Sequence, residues 1–476
     1  MHRPISRAGR RLAVIAGLIA AALSLPAAAA TQSLVILHDN DIHGHLREFC
    51  YIEKAKGPEE HCQIGGAARR ATLIRALRAK AAAPVLLIDS GDTTTRGPLA
   101  TEYEGVDEVA AMNAIGYDIA AVGNNEFKLK DAADINDAAG AQAALQRLFR
   151  RSRFPWICAN VTDASGALLH GVQPFVVRRF GRVRVAFLGL TTPRSGAYPQ
   201  TRGLLFKDPV AAATIWIPKA RAEADIVIAV THVGVLDDVR LAKQTRGLDA
   251  IVGGDSHTYL YQPLVQKNLD GQDVPIVQDG EFGVRLGEFD LTFEGDAGGG
   301  WRLAHYADQL IAVDATSKPD PVIAALVERY AHPLDTAVGT IAAVGATPAE
   351  RAAMTADDLA KAWKTAAGAD IGMQAEGDLF ESFRTPIVTR YQVHAIMPFH
   401  DTVWRGELTG AKLKALLDNP PLGALAIHLT LPSAEIDPAK TYTVATNTFE
   451  APAMTNGVDT GEDARKAIEA WLVAKR

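Results

Sequence analysis

Cysteine is scarce in this chain of 476 residues, which holds three thiols, at Cys50, Cys62 and Cys158. A thiolate metal site needs a second cysteine pair at a suitable spacing, and the sequence has none. Cys50 and Cys62 bracket a polar insertion, residues 51–61, and in an oxidising compartment they would close it with a disulfide. Cys158 sits in the apolar run FPWICANV and reads as a buried free thiol. Positive charge is also short. With 49 Lys and Arg against 55 Asp and Glu, the formal net charge is −6, a poor basis for general nucleic-acid binding. No apolar run beyond residue 30 is long enough to span a bilayer. No repeat or low-complexity segment interrupts the remainder. A composition of 48% hydrophobic and 22% charged residues excludes a disordered or collagen-like chain.

The first thirty residues stand apart. Arg3, Arg7, Arg10 and Arg11 precede an apolar run over residues 12–25, and small residues follow at 28–30. That order is a secretory signal peptide, residues 1–30, and predicts a periplasmic or secreted protein without a membrane span once it is cleaved. Cleavage after Ala30 would remove four arginines and no acid, taking the charge from −6 to about −10. The length exceeds what one core usually holds, so two domains are expected.

Chemistry begins at residues 34–46, LVILHDNDIHGHL. An apolar strand breaks into polar residues that include Asp41 and His43. On an extended strand end, residues two apart point to one side, so a carboxylate and an imidazole would converge there as metal ligands do. The pattern recurs. Apolar strands at 85–88, 117–122, 224–230 and 250–252 run into Asp92, Asn124, His232, and Asp255 with His257. Further strands are read at 156–161, and at 174–180 with 184–190 as a hairpin. Helical periodicity separates the strands at 65–80, 106–115, 137–151, 209–222 and 237–245, with Asp208 capping the fourth helix and Pro218 kinking it. In such α/β sheets, sites form at the carboxyl ends of strands. Five strand ends that all carry oxygen or nitrogen ligands are not expected of ordinary solvated loops.

Residues 286–310 read as two antiparallel strands about a Gly-rich turn at 295–300, and a helix over 320–330 reads as the link at 316–335 to a second unit. In that unit, residues 356–367 and 410–419 read as helices, and 388–396 and 442–446 as extended.

The series Asp41-Ile42-His43, Gly91-Asp92, Gly123-Asn124-Asn125-Glu126, His232-Val233-Gly234 and Gly254-Asp255-Ser256-His257 resembles the motif set of the calcineurin-like metallophosphoesterases. Together with Pro398-Phe399, Glu407-Leu408-Thr409-Gly410 and Thr446-Asn447-Thr448-Phe449 in the second unit, nearly everything after residue 33 resembles the secreted two-domain 5'-nucleotidase family, which includes UDP-sugar hydrolases and 2',3'-cyclic-nucleotide phosphodiesterases. The resemblance implies a four-layer α/β/β/α catalytic domain at residues 31–315 and a smaller α+β substrate-binding domain at 336–476. It also implies two divalent ions (Mn, Zn, Mg or Fe). Asp41, His43 and His257 would hold one ion and Asn124, His232 and Asp255 the other, with Asp92 between. Two such ions about 3.5–4 Å apart bridge a hydroxide and clamp phosphoryl oxygens. Phe399 and Phe449 align with base-stacking aromatics, and Asp401 falls where the family usually has Asn.

Besides Asp401, the chain departs from the family at three places. Asn125 stands where the family usually has a His that stabilises the transition state or protonates the leaving oxygen. An amide can donate a hydrogen bond but not act as an acid, and loss of a general acid costs roughly 10²–10⁴ in rate. Asp255 replaces a metal-binding His. The Gly-rich turn that supplies an arginine reads Ala375-Glu376-Gly377-Asp378-Leu379-Phe380 here, without the arginine, leaving Arg384 or Arg390 as substitutes. The expected function is a secreted metal-dependent phosphoesterase acting on a small phosphate ester such as a nucleotide. The alternatives are a same-fold hydrolase of a sugar phosphate, cyclic nucleotide or thiosulfonate, and a catalytically weakened nucleotide-binding protein.

Overall fold

The strand Thr31–Asp39 has apolar residues at consecutive positions, so both of its faces must be covered. Leu34 and Ile36 face one core and Val35 and Leu37 the other. This strand lies third in a seven-stranded sheet, antiparallel to Arg285–Gly295 and parallel to Val85–Asp89. The sheet continues in parallel through Ile119–Ala121, Trp156–Ile157 and Val172–Gln173. A second, six-stranded sheet is built around Val183–Thr191, Ile226–His232, Ala250–Val252 and Asp273–Val277, all parallel, with antiparallel strands at both edges. The computed structural model describes residues 30–52, 59–129, 137–296, 298–399, 401–421, 423–448 and 455–475. The signal-peptide reading falls outside these residues except at Ala30.

The two sheets pack face to face through Leu34, Ile36, Ile88, Phe187, Ile228 and Val252. The outer face of the first sheet is covered by helices Ala67–Lys80, Val106–Ile115 and Ala138–Arg151. The outer face of the second is covered by Pro209–Glu223 and Val235–Gln244. The layers are therefore α/β/β/α, as expected. Each fully buried aliphatic or aromatic side chain contributes roughly 1.5–3 kcal/mol, and the layer between the sheets is lined with them. That stability holds the loops at the strand ends in conformations they would not otherwise keep.

Two local expectations are corrected. Residues 388–396 are not extended throughout: a short strand, Ile387–Thr389, turns into the helix Arg390–Ile396. Thr389 accepts from the Gln392 amide, and Gln392 reaches back to Thr389, a capping box that starts a helix there. Residues 156–161 split into Trp156–Ile157 and Val161–Asp163, because Val161–Asp163 leaves the main sheet to pair with Leu204–Phe206. As expected, Pro218 lies inside the helix Pro209–Glu223, which Asp208 caps through the Ala211 amide at 3.0 Å.

After the second antiparallel strand, Trp301–Ala312, the helix Pro321–Ala331 starts on Asp320, whose carboxylate accepts from the amides of Val322 and Ile323. Its Ile323 and Val327 pack on Ala67, Ala71 and Ala111 of the first unit. The C-terminal unit is a five-stranded sheet under the helices Pro348–Ala367 and Ala464–Ala474, centred on Trp363, Ile371, Val403 and Ile468. Cys50 and Cys62 are joined as a disulfide and Cys158 is buried and free. Among the described residues, no helix is long and apolar enough to cross a membrane.

Candidate metal centre

Asp41 and His43 do converge, but not by the pleat of a strand. The strand stops at Asp39, and both residues lie beyond it in left-handed backbone, φ 51° and 49°. Asp92, Asp255 and His257 are left-handed too, at 59°, 79° and 52°. For a residue with a Cβ this conformation costs roughly 1–2 kcal/mol. Five such residues at one place mark a loop cluster held against its own preference by its surroundings.

The holding groups are visible. Buried Glu126 accepts hydrogen bonds from the amides of Gly123, Asp92, Thr93 and Thr94 at 2.7, 2.9, 3.0 and 3.1 Å, and from the Thr94 hydroxyl at 3.0 Å. Gly123 is required there, since a Cβ would run into Asp92 and Glu126. Asp41 Oδ2 accepts from the Asn40 side chain at 2.7 Å and from the Asp255 amide at 2.8 Å.

What remains is a set of donor atoms that face one another. Asp41 Oδ1 lies 3.2 Å from His257 Nε2, 3.7 Å from His43 Nε2 and 3.8 Å from His232 Nε2. Asp92 Oδ2 lies 3.2 Å from His232 Nε2 and 3.9 Å from His43 Nε2. Asp255 Oδ1 lies 3.8 Å from His232 Nε2. Two triads, Asp41–His43–His257 and Asp41–Asp92–His232, have the spacing of metal ligands and share Asp41. His232 Nδ1 donates to the Ser90 carbonyl at 2.8 Å, which turns Nε2 toward the acids. His257 Nδ1 donates to Glu281, and Glu281 also accepts from the Tyr51 hydroxyl at 2.8 Å. Such outer carboxylates fix the ring of a metal-binding histidine.

The donor set fits divalent cations. Asp41 Oδ1 and His232 Nε2 are buried and have no hydrogen-bond partner, although such groups are ordinarily paired. Carboxylate oxygens with imidazole nitrogens suit Mn, Fe or Zn better than a thiolate-preferring metal. Electrostatics follow from this crowding. Burial opposes charge on Asp92, yet the histidines at 232 and 43 outweigh it and hold its carboxyl well below the ordinary range. Burial also opposes charge on His257, but Asp41 and Glu281 outweigh it and push that ring up to about 10. Burial, followed by the charge of Arg96, pushes His43 down. Burial raises Asp255, against the pull of His232 and Arg194.

Above these atoms opens a cavity of about 500 Å³, lined by Asp92, Arg96, Asn124, Asn125, Arg194, Tyr198, Asp255, Ser256 and His257. Asn125 is turned toward Asp92, which accepts from both its backbone amide (2.7 Å) and its side-chain amide. Asn124 donates to the Tyr198 hydroxyl at 3.4 Å. The structure thus brings together Asp41, His43, Asp92, Asn124, Asn125, His232, Asp255 and His257. Phe399 is not among the described lining residues; it packs on Arg96, whose guanidinium carbon lies 5.6 Å from its ring centroid. Asp401 is turned into its own unit, where its carboxylate accepts from the Thr448 hydroxyl at 3.1 Å. Phe449 lies outside the described residues.

Sequence reading missed Arg96, Arg194, Tyr198 and Glu281, and gave Glu126 no role. Glu281 was within reach of the same rule, since it closes the polar run that follows the strand Asp273–Val277. Arg96 carried one signal, its place just before Gly97 in the loop that begins with Gly91-Asp92.

The chain is similar to known proteins in both sequence and structure. The sequence profile of the calcineurin-like phosphoesterases matches residues 34–259, and that of the 5'-nucleotidase C-terminal domain matches residues 337–427. Human 5'-nucleotidase is 30% identical over 349 residues, 69% of this chain and 57% of that protein. A snake venom 5'-nucleotidase from Naja atra is 30% identical over 318 residues, 62% of this chain and 56% of that protein. The chain spans about half the length of the curated relatives it matches. In structure, a 5'-nucleotidase precursor from Thermus thermophilus superposes with a TM-score of 0.72 at 23% identity, covering 93% of this chain and 96% of that one. The sulfate thiohydrolase SoxB of the same organism superposes at 0.67 with 18% identity, covering 93% and 94%. At these identities the structural matches establish the fold. With both sequence profiles matched in order along one chain, the protein belongs to the calcineurin-like metallophosphoesterases that carry a 5'-nucleotidase-type C-terminal domain.

Proposed function

We propose that this chain is an exported metal-dependent phosphoesterase that hydrolyses nucleotide phosphate esters. The observation that carries the reading is the meeting of Asp41, His43, Asp92, His232 and His257 around buried, unpartnered donor atoms on the floor of an open pocket. Asp41, His43 and His257 would hold one ion. Asn124, His232 and Asp255 would hold a second, with Asp92 facing both. Bound divalent ions supply Lewis-acid polarisation of the phosphoryl group and a nucleophile at neutral pH. The protein's own part is positioning. Glu126 fixes the Asp92 loop, Ser90 and Glu281 aim two imidazoles, and Asn125 donates to Asp92. Because Asn125 cannot protonate a leaving oxygen, esters of good leaving groups should turn over fastest. Export is supported by the Cys50–Cys62 disulfide, which persists in oxidising compartments.

One observation favours the second reading, an ester other than a nucleotide. The C-terminal turn that lacks the family's arginine presents Glu376, which is engaged with His428 at 2.7 Å. The test is the purified protein with Mn²⁺, assayed on AMP, p-nitrophenyl phosphate and a thiosulfonate. Hydrolysis of AMP supports the first reading. Hydrolysis of either other ester without AMP supports the second, and no hydrolysis of any of the three removes both.

A further inference from the structure

The family resemblance leaves one cation unaccounted for, the arginine absent from residues 375–380. The two substitutes suggested by sequence are occupied. Arg384 is paired with Glu60 at 2.8 Å and Glu381 at 3.2 Å, and Arg390 with Glu469 at 2.8 Å. Arg194, in the pocket wall, is paired with Asp255.

Arg96 is different. It lines the pocket beside Asp92, Asn125 and His257. Its Nε is buried without a hydrogen-bond partner, and among the described residues no carboxylate pairs with its guanidinium. A partly buried cation without a counter-charge is costly unless an anion visits it. Its backbone is left-handed, φ 72°, an unfavourable conformation for a long side chain. The conformation is imposed from both ends. Glu126 pins Asp92, Thr93 and Thr94, and Gly97 packs so closely on Gly44 that a Cβ there would strike the Gly44 carbonyl. On its outer side the guanidinium rests against the Phe399 ring, which meets Phe380 edge-on at 5.2 Å.

We infer that Arg96 binds the substrate's phosphoryl group, supplying from the metal-bearing unit the cation that the C-terminal turn lacks. The inference rests on the phosphoesterase reading above. It adds a consequence: phosphate recognition sits on the same rigid loop as Asp92. Compact phosphomonoesters without a nucleoside should therefore bind nearly as well as nucleotides.

The test uses the full chain loaded with Mn²⁺ and inorganic phosphate as the probe. Calorimetric titration gives the phosphate Kd, and p-nitrophenyl phosphate and AMP give KM and kcat, for the wild type, Arg96→Met and Arg96→Lys. Loss of a charge-assisted contact predicts a rise in phosphate Kd and in both KM values of roughly 10- to 100-fold in Arg96→Met. Arg96→Lys should recover part of it, and metal content should not change. A phosphate Kd within twofold of wild type in both variants would overturn the inference, and a fall in melting temperature alone would make Arg96 a clamp against Phe399. A wild type that binds no phosphate overturns it as well. A wild type that binds phosphate through Arg96 yet hydrolyses no ester would overturn the enzymatic reading and leave the assignment of Arg96 standing.

Discussion

The two units of this chain were built under different constraints. In the two-sheet unit, Asp41, His43, Asp92, Arg96, Asp255 and His257 all adopt left-handed backbone; four of them line one pocket, and Asp41 and His43 belong to the donor cluster beneath it. In the C-terminal unit the elements start on ordinary capping boxes at Thr347 and Thr389, and the expected recognition residues are dispersed. Phe399 stands at the pocket edge and Asp401 is turned inward to Thr448. Backbone strain persists only where packing over-determines it. The contrast teaches that the strained, polar residues of this protein are concentrated in one unit, which is where the proposed chemistry and the proposed grip on phosphate are placed.

The largest effect short of removing a ligand is expected at Glu126. In Glu126→Gln one amide group would face backbone N–H donors that now point at a carboxylate, leaving at least one unsatisfied. The Asp92 loop would shift, and a misplacement of about 1 Å costs roughly 10²-fold in turnover. Turnover of p-nitrophenyl phosphate measures this, and a wild-type kcat would show that the loop holds itself. Next in size is Glu281→Gln. Weakening the acceptor behind His257 should lower Mn²⁺ affinity roughly 10- to 100-fold in calorimetric titration, with the fold intact by circular dichroism. An unchanged affinity would mean that Tyr51 and the pocket orient the ring without it.

The smallest effect belongs to the seam between the units, where Thr101 donates to the Pro398 carbonyl at 2.5 Å and Glu60 joins Arg351 and Arg384. His394 is buried there, near the Pro98 carbonyl and between the charges of Arg390, Asp463 and Arg465. Burial, with Arg465 adding to it, pulls its pKa down to about 4. A histidine with a depressed folded pKa contributes stability that is present above its unfolded pKa of 6.5 and is lost as pH falls toward 4. Between those pH values the wild type should therefore lose up to roughly 2 kcal/mol more than His394→Gln. Thermal melts at pH 7, 5.5 and 4.5 measure the difference, and parallel curves would place the acid sensitivity elsewhere.

Much of the architecture is legible in the residue pattern alone. Apolar runs such as Leu34–Leu37 and Ile226–Val230 announce doubly covered strands, and the polar residues after them announce the site. What escaped has physical causes. Asp and His enter the left-handed region more readily than most residues, but that tendency is too weak to show that the strand had ended before Asp41 and His43, so their convergence was traced to the strand. Arg96 and Glu281 are placed beside residues distant in sequence, Phe399 and His257, and such pairings exist only after folding. The helix Arg390–Ile396 was signalled by its T-x-x-Q box but hidden by residues with strand propensity.

The most direct test of the dinuclear account is metal content and AMP turnover measured together, on the wild type and on Asp92→Ala, after Mn²⁺ loading and desalting. Mass spectrometry should find about two ions per wild-type chain, and the variant should lose both bound metal and hydrolysis. Wild-type turnover in Asp92→Ala, or full hydrolysis by wild-type protein stripped with a chelator, would contradict it.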